Sequence, residues 1–160
     1  MAFVGKQVTF EFKQVNTASP DKVFPLLCPV REKDWLDGWD YEMIHSVTGL
    51  AEKDCVFSTF GQGQEKTIWH ITQHNQVNHS IEFVRFTPNL NVVKININLE
   101  GRQDGNTETL IKYQYTGLNE DQNNFIEDEL EESFTVSMQW WEKAINYYLE
   151  TGEMLKLESS

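Results

Sequence analysis

The most constraining feature of this sequence is a long amphipathic segment near its C-terminal end. Over residues 120–150, apolar side chains recur at spacings of three and four, which places them on one face of an α-helix. These residues are Ile126, Leu130, Phe134, Met138, Trp141, Ile145 and Tyr148. Asn119 is placed to cap the start of the helix, and Gly152 is placed to end it. A helix with such a stripe needs a large apolar surface to pack against.

The surface that the sequence predicts is an antiparallel β-sheet. Residues 7–15 alternate apolar and polar side chains, a period of two that predicts a half-buried first strand. Six more strand-like runs follow, at residues 41–47, 55–60, 65–73, 80–87, 92–99 and 107–116. Short polar or glycine-bearing connections separate them, including a hairpin turn predicted at residues 61–63. We therefore expect a seven-stranded antiparallel sheet that wraps the long helix.

Two short helices are predicted between the first and second strands. Ser19 can cap the first, and Pro20 suits its opening position. A second helical turn is predicted within residues 30–39, where Trp35 and Trp39 are four residues apart and share a side.

Length and charge limit the function classes. A chain of 160 residues has the size of one domain, so we predict a single domain over residues 1–160. Its formal net charge of −12 disfavours nucleic acid and anionic lipid as partners. It contains neither a leader-like N-terminal segment nor an apolar run of the ~18 residues that span a bilayer, so we expect a cytoplasmic protein without membrane insertion. Cys28 and Cys55 fit small buried hydrophobic positions.

This order of elements resembles the START/Bet v1-like helix-grip superfamily, the SRPBCC group that includes polyketide cyclase-like and Aha1-like proteins. The resemblance covers nearly the whole chain and is carried by residues 24–32 (FPLLCPVRE), 35–39 (WLDGW) and 81–88 (IEFVRFTP). It implies an α+β helix-grip fold with a cavity between the curved sheet and the C-terminal helix. Residues 48–54 lack the glycine-rich loop of the plant members, so we infer no phosphate-binding role for them.

The resemblance implies binding or transport of a hydrophobic small molecule, such as a lipid, a polyketide or an aromatic compound. Two alternatives stay open: a cyclase- or dehydratase-like enzyme, which turnover of a bound compound would reveal, and an Aha1-like protein-interaction module, which needs a protein partner. No cofactor is implied. The catalytic residues, if the chain is an enzyme, are unknown, because no nucleophile motif is present.

The candidate ligand-binding residues are Trp35, Trp39, Trp69, Phe83, Arg85, Tyr113, Tyr115, Glu127 and Trp141. Arg85 has the same strand parity as Ile81 and Phe83, which directs it inward, although its head could also reach water from a strand end. Glu127 lies close to the apolar stripe, and exposure near a helix start explains it equally well. The aromatic residues fit either ordinary core packing or a cavity wall.

A metal site is not predicted. His70 and His74 share strand parity and His79 follows a short connection, so a histidine cluster is conceivable, but surface and hairpin positions explain the same residues.

Overall fold

A computed structural model describes residues 2–60 and 65–157. Within these ranges, seven strands form one antiparallel sheet in the order β1-β7-β6-β5-β4-β3-β2. The strands are β1 (Gln7–Asn16), β2 (Glu42–His45), β3 (Val56–Phe60), β4 (Lys66–Asn75), β5 (Ser80–Thr87), β6 (Asn91–Gly101) and β7 (Thr107–Gly117). The predicted seven-stranded antiparallel sheet is confirmed. The turn predicted at residues 61–63 lies outside the described residues.

Strand β6 shows why one face of the sheet is apolar. Val93, Ile95 and Ile97 are buried, while Lys94 and Asn98 between and beside them are exposed. This is the period-two alternation expected of a strand with one dry face. The dry face of the sheet and the buried side chains of the C-terminal helical region belong to one hydrophobic core.

The connection between β1 and β2 contains the two short helices that the sequence predicts. They are α1 (Pro20–Val23), which continues into a 3-10 turn (Phe24–Leu26), and α2 (Pro29–Trp35). A proline opens each helix, where its missing N–H has no helical partner to lose. Helix α2 packs against the C-terminal helix and brings its inner face to one end of the core.

The C-terminal helical region is divided in two, which corrects the prediction of one continuous helix over residues 120–150. Helix α3 (Glu120–Asp128) is followed by α4 (Leu130–Thr151), and Glu129 between them has a non-helical φ of −128°. Asn119 caps α3 by accepting from the Gln122 N–H at 2.7 Å. Gly152 ends α4 in the left-handed region, at a φ of +75°.

Hydrogen bonds hold α3 to the sheet on the N-terminal side of the break. The Asn123 side chain of α3 accepts from the Lys6 N–H at 2.8 Å, and Gln122 accepts from the Asn91 side chain at 3.0 Å. These contacts hold α3 at the N-terminal ends of β1 and β6, and α4 continues across the sheet after the turn at Glu129. The apolar stripe continues through the break, since Ile126 and Leu130 are both buried.

Two side chains of α4 bond to the backbone of the edge strand β1 at Val15. β1 is an edge strand, so its outer backbone groups lack a neighbouring strand. Glu142 accepts from the Val15 N–H at 3.0 Å, and the Asn146 side chain donates to the Val15 carbonyl at 2.9 Å. Together they take the place of a strand partner and fix where α4 lies along β1.

The residues after α4 return to the loop that follows α2. Residues 153–157, called here the C-terminal strap, pair Leu155 with Leu36 in a parallel β-bridge. The Leu157 N–H donates to the Asp37 carboxylate at 2.8 Å, and Lys156 lies 3.9 Å from the same carboxylate. The strap therefore holds the loop after α2 in place.

The packing of α4 yields a stability test. Ile145 is fully buried in the stripe, whereas Val136 on the same helix is 59% exposed. We expect Ile145→Ala to lower the free energy of unfolding by about 2–5 kcal/mol, because it leaves a cavity in the core. Val136→Ala should stay within about 0.5 kcal/mol of the parent protein. Denaturant unfolding followed by circular dichroism measures both, and equal small losses would contradict the helix orientation.

Candidate functional site

A cavity of about 210 Å³ lies between the sheet, α2 and α4. Its walls come from α2 and the loop after it, from β3 to β7, and from α4. The lining residues are Glu32, Leu36, Trp39, Phe57, Trp69, Phe83, Arg85, Ile95, Ile97, Ile111, Tyr113, Met138 and Trp141. Most of this lining is aliphatic or aromatic, and a few polar groups interrupt it, which is the usual make-up of a small-molecule site.

Aromatic rings in mutual contact form one wall of the cavity. Trp69 stacks on Phe57 with centroids 5.4 Å apart, and it meets Phe83 edge-on at 6.0 Å. The Trp69 indole N–H donates to the Thr59 hydroxyl at 3.0 Å, and the Trp39 indole N–H donates to the Pro29 carbonyl at 2.9 Å. Because these hydrogen bonds fix the indole rings, the wall is pre-formed.

Arg85 places a guanidinium at this wall. Its charge centre lies 5.2 Å from the Trp69 ring centroid and 5.9 Å from that of Tyr113. The guanidinium donates to the Tyr115 hydroxyl at 3.1 Å. Within the described ranges no carboxylate pairs with Arg85, although other basic side chains do form ion pairs. The cavity therefore contains a positive charge held by aromatic faces and one phenol.

Glu32 brings a carboxyl group into the same cavity from α2. Desolvation by burial raises its pKa from 4.5 to about 8. Among the described residues, the carboxyl group has no hydrogen-bond or ion-pair partner, and Glu32 is half-buried at the cavity wall. At neutral pH Glu32 is therefore mainly a carboxylic acid that can donate a hydrogen bond into the cavity.

Both polar groups influence the pKa of the Tyr113 phenol. Burial raises the pKa of its phenol well above the ordinary value, the positive charge of Arg85 opposes the increase, and Tyr115 and Glu32 add to it. Tyr113 thus remains a neutral hydroxyl at physiological pH and offers the cavity a donor that does not titrate.

An outer pocket of about 310 Å³ adjoins the cavity. Trp39, Trp69 and Arg85 line both spaces, so they stand where the cavity meets the outer pocket. The outer pocket adds the acidic Asp40 and Glu42, which are exposed. This arrangement places Arg85 within reach from the outside.

The structure brings most of the predicted site residues together, but not all. Trp39, Trp69, Phe83, Arg85, Tyr113 and Trp141 line the cavity, and Tyr115 stands next to Arg85 without lining it. Trp35 does not line the cavity: it is fully buried in the core, with its ring centroid 5.2 Å from that of Trp141. Its indole N–H donates to the Leu26 carbonyl.

Glu127 requires a correction, because it does not reach the cavity. Its side chain is 64% exposed and lies 3.6 Å from the Lys6 ammonium. Helical spacing places Glu127 close to the stripe, but its carboxylate is directed to Lys6, which precedes β1, and not to the cavity. The structure supports the exposure but not the helix start, because Glu127 lies at the C-terminal end of α3 and pairs with Lys6.

Glu32 was missed by the sequence interpretation. The available signal was its spacing on α2: Glu32 lies four residues after the buried Cys28 and three before the buried Trp35, which puts a charged residue on a buried helix face. In a helix of only seven residues this pattern is too short to separate an inward acid from an exposed one.

Solved structures show how this architecture compares with known proteins. Ara h 8.0201 matches at 17% identity and a TM-score of 0.66, covering 91% of this chain and 99% of that one. Norcoclaurine synthase from Thalictrum flavum, in complex with dopamine and hydroxybenzaldehyde, matches at 13% identity and a TM-score of 0.68, covering 97% and 91%. SA2116 from Staphylococcus aureus, a protein of unknown function, matches at 12% identity and a TM-score of 0.70, covering 92% and 96%.

Ara h 8 and norcoclaurine synthase both have the Bet v1-like architecture, and the match spans nearly the whole of each chain. This chain has the Bet v1-like helix-grip fold. The resemblance read from the sequence is thereby confirmed at the level of fold. No protein-family model matches the sequence, and no curated protein sequence does.

Other reactive side chains of this helix-grip chain have ordinary structural roles. Both cysteines are buried and free, and burial raises the pKa of Cys55 to about 11, which weakens it as a nucleophile. His70 lies 3.2 Å from Asp54, and His79 lies 2.9 Å from Asp21. Residues 2–60 and 65–157 contain no group of three or more metal-ligating side chains, and none of their helices is long and apolar enough to cross a membrane.

The raised pKa of Glu32 predicts a pH-dependent stability. Between pH 4.5 and about 8 the folded protein keeps a proton that the unfolded chain has released, so stability falls as pH rises through this window. Glu32→Gln removes the effect and should become more stable relative to the parent protein as pH rises, up to a plateau above the folded-state pKa. Thermal unfolding at a series of pH values measures the difference in Tm.

The matched control is Glu132→Gln, which makes the same change at an exposed position of α4. Its Tm difference from the parent protein should vary far less over this pH range. If the curves for the parent and Glu32→Gln ran parallel, the Glu32 carboxyl would be solvated.

Proposed function

We propose that the protein binds a small aromatic compound bearing a carboxylate or carbonyl group, with the ring in the cavity and the anionic or polar end on Arg85. The observation that carries this proposal is the Arg85 guanidinium, which lines an apolar cavity with one phenol as its hydrogen-bond partner. A guanidinium has five N–H donors arranged in a fork that matches a carboxylate. A ligand carboxylate would supply the missing acceptor.

Cavity size narrows the ligand class. Small-molecule sites commonly measure about 300–1,000 Å³, and an apolar cavity of about 150 Å³ holds benzene. A volume of about 210 Å³ suits one substituted ring better than a long acyl chain or a multi-ring polyketide. Trp69, Phe57 and Phe83 offer ring faces and edges for stacking. Among the possibilities that the fold implies, an aromatic ligand is therefore favoured.

A neighbour with the same fold supports the ligand size. The norcoclaurine synthase structure contains dopamine and hydroxybenzaldehyde, both single-ring aromatic compounds. The low identity prevents any transfer of individual residues, so the argument for this chain stays with Arg85 and the aromatic wall.

A cyclase- or dehydratase-like enzyme is the second candidate, and Glu32 is the observation that favours it. A carboxyl group with a pKa of about 8 beside the neutral Tyr113 has the properties of a general acid. Incubation of bound carbonyl compounds with the protein, followed by mass spectrometry, separates the two candidates: unchanged ligand supports binding alone, and product formation supports an enzyme.

The binding proposal is tested with benzoate and its neutral analogue benzyl alcohol. Isothermal titration calorimetry gives both affinities, and quenching of tryptophan fluorescence reports occupancy because Trp39, Trp69 and Trp141 line the cavity. Arg85→Gln should weaken benzoate by about 1.5–3 kcal/mol, the value of a hydrogen bond to a charged group, and should leave benzyl alcohol nearly unchanged.

Arg102→Gln is the matched control, since Arg102 is outside the cavity and pairs with Asp104 at 3.3 Å. Its benzoate affinity should equal that of the parent protein. Equal losses for benzoate and benzyl alcohol in Arg85→Gln would indicate lost packing in place of anion binding. Absence of benzoate binding by the parent protein at saturating concentrations would refute the proposed function.

A further inference from the structure

The unpartnered carboxyl group of Glu32 is not explained by the proposed function. Its neighbours in sequence are engaged elsewhere: Arg31 lies 3.1 Å from Asp34, and Lys33 lies 3.2 Å from Asp40. Within residues 2–60 and 65–157 no basic side chain forms an ion pair with Glu32, which lines the cavity together with Leu36 and Arg85. A carboxyl group that lines an apolar cavity without a partner from the described part of the chain is available to a bound ligand.

We propose that Glu32 forms a second polar subsite, in which its carboxyl group, as a neutral acid, donates a hydrogen bond to an oxygen of the ligand that is distinct from the carboxylate on Arg85. The inference rests on the proposed function and narrows it. The ligand class becomes an aromatic carboxylate that carries a second, accepting oxygen, such as an ether, a carbonyl or a hydroxyl group on the ring or its side chain.

The alternative partner for Glu32 would be a ligand ammonium group, which would require the ionised carboxylate. Burial disfavours that form and holds the pKa near 8, so a neutral donor is the state present at pH 7. A hydrogen bond from a neutral acid avoids placing a second pair of charges in the cavity, where the desolvation penalty for ions is large. The neutral state therefore selects an accepting oxygen.

The charged and titratable groups around Glu32 do not share its titration range. Of the cavity-lining residues, Arg85 on β5 and Tyr113 on β7 can carry a charge. Arg85 stays positive at physiological pH, and burial holds the Tyr113 pKa above its ordinary value. On the α4 side, Tyr148 lies beside Arg31. Asp40 and Glu42 belong to the outer pocket beyond Trp39. Glu32 is thus the group of the cavity that changes charge as pH rises through 8.

The subsite makes binding dependent on pH in a defined direction. When Glu32 ionises, it loses its donor proton and adds a negative charge to a cavity that contains the ligand carboxylate. Both effects weaken an anionic ligand, so affinity should fall as pH rises through about 8. Glu32→Gln keeps a donor in the N–H₂ group of the amide and never ionises.

The first arm of the test compares the methoxybenzoates with the ethylbenzoates of the same substitution pattern. The two series have nearly the same shape, and the methoxy oxygen accepts a hydrogen bond that the ethyl group cannot. By calorimetry at about pH 6, the best methoxybenzoate should bind roughly 2- to 10-fold tighter than its ethyl counterpart. Glu32→Gln should keep this preference, and Glu32→Leu should abolish it.

The second arm measures benzoate affinity from about pH 6 to about pH 10. The parent protein should lose on the order of tenfold in affinity, whereas Glu32→Gln should stay flat. Circular dichroism at each pH verifies that the variants are folded. The benzoate carboxyl group is ionised over the whole range and contributes no change.

The outcomes separate this inference from the proposed function. If benzoate binds through Arg85, but methoxy and ethyl partners bind equally and the pH profiles of parent and Glu32→Gln coincide, the subsite is refuted and the proposed function stands. If no benzoate binds, both are refuted. A methoxy preference that survives Glu32→Leu would assign the donor to another residue, such as Tyr113, and would also overturn the inference.

Discussion

The packing of α4 on the apolar face of the sheet is the interaction on which the rest of the structure depends. Its stripe supplies Phe134 and Ile145 to the core, and Glu142 and Asn146 bind the edge of β1 at Val15. The apolar contacts drive the packing, and the polar contacts fix the position of the helix along the strand. Because α4 is fixed in this position, Met138 and Trp141 line the cavity on the helix side and leave its volume open.

The cavity combines a pre-formed apolar wall with two polar groups that have no charged partner in the described part of the chain. Arg85 without a carboxylate and Glu32 without a hydrogen bond both lower the stability of the empty protein, because removing a polar group from water without full compensation is unfavourable. Binding sites frequently contain such unfavourable features, since a ligand that satisfies them gains affinity. In this chain, the aromatic faces around Arg85 reduce the penalty through cation–π contacts with Trp69 and Tyr113.

Sequence periodicity predicted the regular elements and part of the site. The alternation in β6 and the spacing of Leu130, Phe134 and Met138 were sufficient to predict which faces are buried, and strand parity put Arg85 on the same face as Phe83. The break at Glu129 was not predicted, because the apolar spacing runs through it without interruption, from Ile126 to Leu130. Glu32 was not identified because its burial depends on where α2 packs, which a seven-residue helix does not reveal.

The C-terminal strap connects the end of the chain to the loop beside the cavity. Leu155 pairs with Leu36, and Leu157 is bonded to Asp37 across 120 positions of sequence, while Leu36 and Trp39 of that loop line the cavity. During synthesis the helices and strands leave the ribosome before the strap does. The loop beside the cavity therefore acquires its final support only when the last described residues have emerged, so a nascent chain halted before residue 153 would carry an incompletely supported cavity wall.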